Sequence, residues 1–114
     1  MTSYYANSFS SSEGFEEMTK LENEFYKKIL SEDDENIHKV FKEYFPKMKE
    51  KLKTLFSNSE LAIENLTNTY LLICYQKSAS LKNLQIGEFL RLLTNEQIEE
   101  YKKLMSYFQN FLHQ

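Results

Sequence analysis

Apolar residues recur at alternating spacings of three and four along nearly the whole chain, and little interrupts them: 114 residues hold one proline and two glycines. That alternation keeps side chains on one face of an α-helix. It is clearest near the end, where Ile98, Tyr101, Leu104, Met105, Phe108, Phe111 and Leu112 fall on one stripe. The pattern predicts an all-α fold, a compact bundle of about five helices. With linkers this short, sequential helices pack antiparallel as neighbours.

Residues 1–11 are polar and aromatic, with a serine cluster and no periodicity, and read as a flexible tail. Residues 12–114 then form a single helical-bundle domain, long enough for one core but not two. Ser12 is placed to cap the first helix, with Glu13, Glu16 and Glu17 in its opening turns. Phe15, Met18, Leu21, Phe25 and Ile29 are its apolar stripe. The acidic turn Ser31–Glu35 separates it from a second helix over about 34–56, striped by Ile37, Phe41, Tyr44, Met48, Leu52 and Leu55. Pro46 lies inside that helix, yet the stripe keeps its phase on both sides, so one kinked helix is expected, with Pro46 opposite the stripe. The first two helices form a hairpin.

Ser57-Asn58-Ser59-Glu60 has the form of a capping box and opens a third helix. Leu61, Ile63, Leu66, Tyr70 and Ile73 make its main stripe, and Leu71, Leu72 and Tyr75 extend apolar character round most of it. A helix apolar nearly all round belongs at the centre of a bundle. Ser78-Ala79-Ser80 reads as a link to a shorter helix over about 81–93, in which Gly87 costs about 1 kcal/mol against alanine and implies a close packing contact. Thr94-Asn95-Glu96-Gln97 is a second capping box and opens the last helix.

Catalytic parts are scarce. Two histidines, His38 and His113, and one cysteine, Cys74 in the run Tyr70–Tyr75, leave no recognisable nucleophile, base and orienting group together. Cys74, flanked by apolar residues, reads as a small buried hydrophobe. Gly14 and Gly87 stand alone, so no glycine-rich loop cradles phosphate. Glu35-x-x-His38 has the spacing of a di-iron bundle ligand pair, but such a site needs a second copy and further glutamates. The expectation is therefore a chain that is not an enzyme, with no catalytic residues, cofactor or metal.

Charge is uneven. Residues 1–36 hold nine acids and three lysines, whereas 37–56 hold six lysines and two glutamates. Lys39, Lys42, Lys49 and Lys53 share one side of the second helix. The simplest reading is an acidic first helix lying beside a basic second one. A phosphate-facing stripe is the alternative, which would make this a nucleic-acid-associated helical protein, though the whole chain is acidic.

Nine phenylalanines and eight tyrosines, with no tryptophan, give an aromatic load able to form a semi-exposed boundary layer or a binding face. The last helix carries the widest stripe, with Tyr107 just off it. The functional expectation is a non-catalytic protein–protein interaction domain, an adaptor or assembly module able to self-associate. Tyr101, Tyr107, Phe108 and Phe111 are its candidate partner-binding residues, and the partner is another protein or a second copy. No apolar run approaches the roughly 20 residues of a bilayer span. Residues 1–10 lack a basic stretch followed by an apolar core, which leaves an intracellular, cytoplasmic location as the default.

Overall fold

The computed structural model describes residues 2–55 and 60–112, with side chains over 14–55 and 64–110. Among these residues there are five α-helices and no strand: α1 (Thr2–Ser31), α2 (Ile37–Leu55), α3 (Glu60–Leu81), α4 (Ile86–Leu90) and α5 (Asn95–Leu112), with a 3-10 turn at Asp34–Asn36 leading into α2. α1 begins at Thr2, within the stretch read as a tail, and the proposed cap at Ser57-Asn58-Ser59 lies outside the described residues.

α1 and α2 form the expected antiparallel hairpin. Met18, Phe25 and Ile29 of α1 are buried against Phe41, Tyr44, Phe45, Met48 and Leu52 of α2. At its open end Lys51 forms an ion pair with Glu17, so the acidic and basic helices do meet. A Cβ at Gly14 would meet the tip of the Leu55 side chain, which would have to shift to accommodate it. α2 is continuous through Pro46, which sits on the exposed side. Losing the proline N–H costs least there, because the carbonyl of Lys42 that it would have bonded lies on the wet face.

α3 touches all four other helices and is the central one. It is antiparallel to α2 and to α5, and therefore parallel to α1. Its inward face differs from expectation. The buried side chains are Leu71, Leu72, Cys74, Tyr75, Ser78 and Ala79, while Leu66 and Ile73 of the anticipated main stripe are exposed. Ser78 and Ala79, read as a linker, lie inside the helix and are buried. The Ser78 hydroxyl is fully buried and has no hydrogen-bond partner among the described residues.

The helix stops at Asn83, whose φ of 57° is left-handed. Leu84 N–H donates to the Ala79 carbonyl and Asn83 N–H to that of Ser80, the paired bonds of a Schellman end. Lys82 then reaches across: its Nζ donates to the Glu32 carbonyl at 2.6 Å, tying the end of α3 to the end of α1. α4 is consequently one short turn rather than a helix over 81–93, anchored by the fully buried Phe89. The tight contact inferred at Gly87 is absent, since a Cβ there would meet nothing within 4 Å.

The core is aromatic. The Phe41 ring centroid lies 5.3 Å from Phe25, 4.8 Å from Phe45, 5.1 Å from Tyr75 and 5.7 Å from Phe89, joining α1, α2, α3 and α4. Tyr26, Tyr44, Tyr75 and Tyr101 are buried rather than forming a half-wet layer. The two glycine-type positions near the short helix separate cleanly in a stability assay. Gly87→Ala should stabilise by about 0.5 kcal/mol, by restricting the unfolded chain at a site with room to spare. Asn83→Val should destabilise by about 1–2 kcal/mol, because a β-branched residue resists the left-handed backbone. Urea unfolding of both variants checks the signs.

Candidate interaction surface

Around the ring of helices, two seams are thin, and each opens into a groove. The first lies between α2 and α5. His38, Lys42, Pro46 and Lys49 line one wall, and Thr94–Gln97 and Glu100 the other, enclosing about 630 Å³. Two of its charges pair with each other. Lys49 Nζ pairs with Glu100 Oε2 at 3.0 Å. The Tyr75 hydroxyl donates to the Gln97 carbonyl at 3.1 Å and reaches Glu100 Oε1 at 3.2 Å. The capping box is formed: Thr94 N–H donates to Gln97 Oε1 at 2.9 Å and Gln97 N–H to Thr94 Oγ1 at 3.2 Å. Gln97 also donates from Nε2 to the His38 carbonyl at 2.9 Å. These bonds hold α5 on the bundle across a groove whose floor includes Phe41 and Phe45.

Of the lysine stripe, Lys39, Lys42 and Lys53 are exposed, while Lys49 is committed to Glu100. Glu35 is exposed in the 3-10 turn and His38 half-buried at the start of α2. Among the described residues, no three His, Cys, Asp or Glu side chains group so as to hold a metal ion. No described helix is long and apolar enough to cross a membrane.

The second groove lies between α1 and α3 and is nearly all apolar. Phe15, Met18, Leu55, Leu66, Tyr70 and Ile73 supply most of its lining, around some 270 Å³. Phe15, placed in the inward stripe of α1 by periodicity, stands at this opening instead. Leu66 is 43% and Ile73 50% exposed, and Leu30 lies further along α1 at 56%. The groove's polar atoms are turned inward on the protein itself. Thr19 Oγ1 donates to the Phe15 carbonyl and Thr69 Oγ1 to that of Asn65. The Tyr70 hydroxyl donates to Glu22 Oε2 at 2.7 Å. What remains facing outward is hydrocarbon.

Three of the four aromatic candidates of α5 lie elsewhere. Tyr101 is a core residue, with its ring 5.3 Å from that of Tyr75. Tyr107 is half-buried and its hydroxyl donates to Asn65 Oδ1, closing the α3–α5 seam. Phe108 is half-buried against the core. The side chain of Phe111 lies outside the described residues. A partner anchor needs surface to offer, and Tyr101 has little. The sequence did carry a signal for the α1/α3 groove: α3 has more apolar circumference than its neighbours can cover. Taking Leu66 and Ile73 as the inward stripe hid it.

Beneath this surface, burial keeps one thiol and three phenol groups protonated. Burial pushes the Cys74 thiol up to about 12, against a hydrogen bond with the Tyr26 hydroxyl that acts the other way. That leaves Cys74 no thiolate character at neutral pH. Burial likewise raises Tyr26. It raises Tyr70 and Tyr75 as well, reinforced by the hydrogen bond to Glu22 in the first and the charge of Glu100 in the second.

No family model, curated protein or solved structure matches the chain. The surface is therefore read from its own geometry.

The raised groups set an alkaline limit on the fold. In the unfolded chain, cysteine ionises near about 8.5 and tyrosine near about 10, whereas Cys74 and Tyr75 stay protonated in the native state. The unfolded state alone gains from losing these protons, so stability is intact below pH about 8.5 and falls as pH rises toward 12. Each such group contributes a slope of about 1.4 kcal/mol per pH unit once its unfolded form is ionised. Denaturant midpoints measured from pH 7 to 11 should show this fall, and Tyr75→Phe should flatten it.

Proposed function

We propose that this chain is a non-catalytic protein–protein interaction domain that binds through the apolar groove between α1 and α3. The observation that carries this reading is the exposure of Leu66 and Ile73 in a groove whose polar lining is already hydrogen-bonded within the protein. Aliphatic side chains left in water at such a place favour burial by another apolar surface, at about 25 cal/mol per Å² covered. With its hydroxyls and carboxylate engaged, the groove offers little to a polar small molecule. It suits a helix laid lengthwise, whose residues at three- and four-residue spacing enter between the two helices. This reading moves the binding surface from the α5 aromatics to α1 and α3.

The test uses a photo-crosslinking amino acid at Thr69, on the groove wall, in the full chain expressed in its own cells. One discrete adduct is expected. Ile73→Glu should abolish that adduct while changing stability by no more than about 0.5 kcal/mol, as a surface substitution does. An absence of any discrete adduct, or an Ile73→Glu protein that no longer folds, would refute the assignment.

A further inference from the structure

Along α2, Lys39, Lys42, Pro46, Lys49 and Lys53 follow one another at steps of three, four, three and four residues. That repeat holds them on one face of the helix, over about 21 Å. Lys42, Pro46 and Lys49 form the α2 wall of the groove against α5, above a floor that includes Phe41 and Phe45. Lys39 and Lys53 continue the stripe by about a turn at either end, and both are exposed.

The lysines of α2 fall into two groups. Lys47 pairs with Glu43 and Lys51 with Glu17, and both lysines line the seam with α1 instead. On the stripe, Lys49 pairs with Glu100, whereas Lys39, Lys42 and Lys53 have no ion pair among the described residues. Across the groove, Glu96 is then the one unpaired carboxylate in the described lining.

We propose that an acidic helical peptide docks along this stripe, its carboxylates on the free lysines and one apolar side chain over the groove at Pro46. Ammonium groups repeated at helical spacing are complementary to carboxylates repeated likewise on a facing helix. At its centre, where it passes the groove floor, the stripe carries the hydrocarbon ring of Pro46 in place of a charge. An apolar side chain of the peptide fits there, and the groove, at about 630 Å³, has room for it. A nucleic-acid backbone is a poorer match. Its unbroken line of phosphates would pass over Pro46 and beside the exposed Glu43 and Glu50, which follow Lys42 and Lys49 in the chain. This surface is separate from the α1/α3 groove, and neither assignment needs the other. Exposed ion pairs contribute little each and are screened by salt, so the complex is weak and sensitive to ionic strength.

The test titrates the full chain into a fluorescent alanine-based helical peptide, with glutamates at the spacing of the stripe and a leucine at its centre. At low ionic strength, anisotropy should report a dissociation constant on the order of 100 µM or tighter, weakening at least tenfold in about 0.5 M salt. Lys42→Glu should weaken binding at least tenfold, and Lys39→Glu, one turn away, in the same direction. Lys47→Glu makes the same change in net charge on the α1 side and should alter affinity less than about twofold. All three side chains are exposed, so helicity and melting should be unchanged. Replacing the peptide's leucine by serine should weaken binding about threefold or more.

No binding at about 1 mM protein overturns the proposal. Equal losses from Lys42→Glu and Lys47→Glu overturn it as well, since they mark a diffuse attraction rather than a stripe. A DNA duplex bound more tightly than the peptide in the same salt overturns the peptide as occupant and gives the lysines to phosphate.

Discussion

The Phe41 ring is the contact on which the rest of the bundle hangs. Among the described residues it is the one side chain whose ring neighbours come from α1, α2, α3 and α4 together, and it is almost fully buried. Edge-on and tilted aromatic pairs of this kind add about 0.5–1.5 kcal/mol each beyond the area they bury. They also fix geometry, because a flat ring tolerates fewer arrangements than an aliphatic chain. Tyr75 transmits that order outward. Its ring packs on Phe41, Phe45 and Tyr101, while its hydroxyl reaches Gln97 and Glu100 of α5. The position of the last helix therefore follows from the centre of the core.

That arrangement explains why the two grooves differ. Packing radiates from Phe41, so α1–α2 and α3–α5 close tightly and the seams between the pairs are left thin. In the α2/α5 seam, charged side chains bridge the gap as Lys49 and Glu100. In the α1/α3 seam the bridges are a Tyr70–Glu22 bond, Lys77 over Tyr26 and, at the helix ends, Lys82 on Glu32, and aliphatic surface is left between. Of the two grooves, the one between α1 and α3 has the more nearly apolar lining.

Much of this was legible in the residues. The helical class, the α1–α2 hairpin, the central place of α3, the passage of α2 through Pro46 and the Thr94–Gln97 cap follow from spacing, breakers and capping chemistry. Three things did not. α3 has two apolar faces, and periodicity cannot say which turns inward; the choice went to the face with Ser78 and Ala79, whose small side chains allow close approach, and with Tyr75, whose hydroxyl finds partners on α5. Ser78-Ala79-Ser80 resembled a linker because serine is common in loops, whereas here its small size let the helix continue to Leu81. Gly87 suggested a tight contact but lies in open space. The exposed aliphatic face of α1 and α3 was not legible for the first of these reasons: Leu66 and Ile73 were read as the inward stripe, and attention went to α5, where Tyr101 is buried.

The Lys82 bridge to Glu32 has a consequence for how the molecule comes together during synthesis. The α1–α2 hairpin is made of neighbouring stretches of chain, so closing it costs little loop entropy, and Phe25 can meet Phe41 while α3 is still unmade. At that stage Phe41 has an uncovered side and the end of α1 has bare carbonyls. Tyr75 and then Lys82 supply what is missing, in that order as the chain lengthens. Lys82 acts as a latch that engages only when α3 has been completed to its last turn, joining the ends of two helices whose own loops never bring them together.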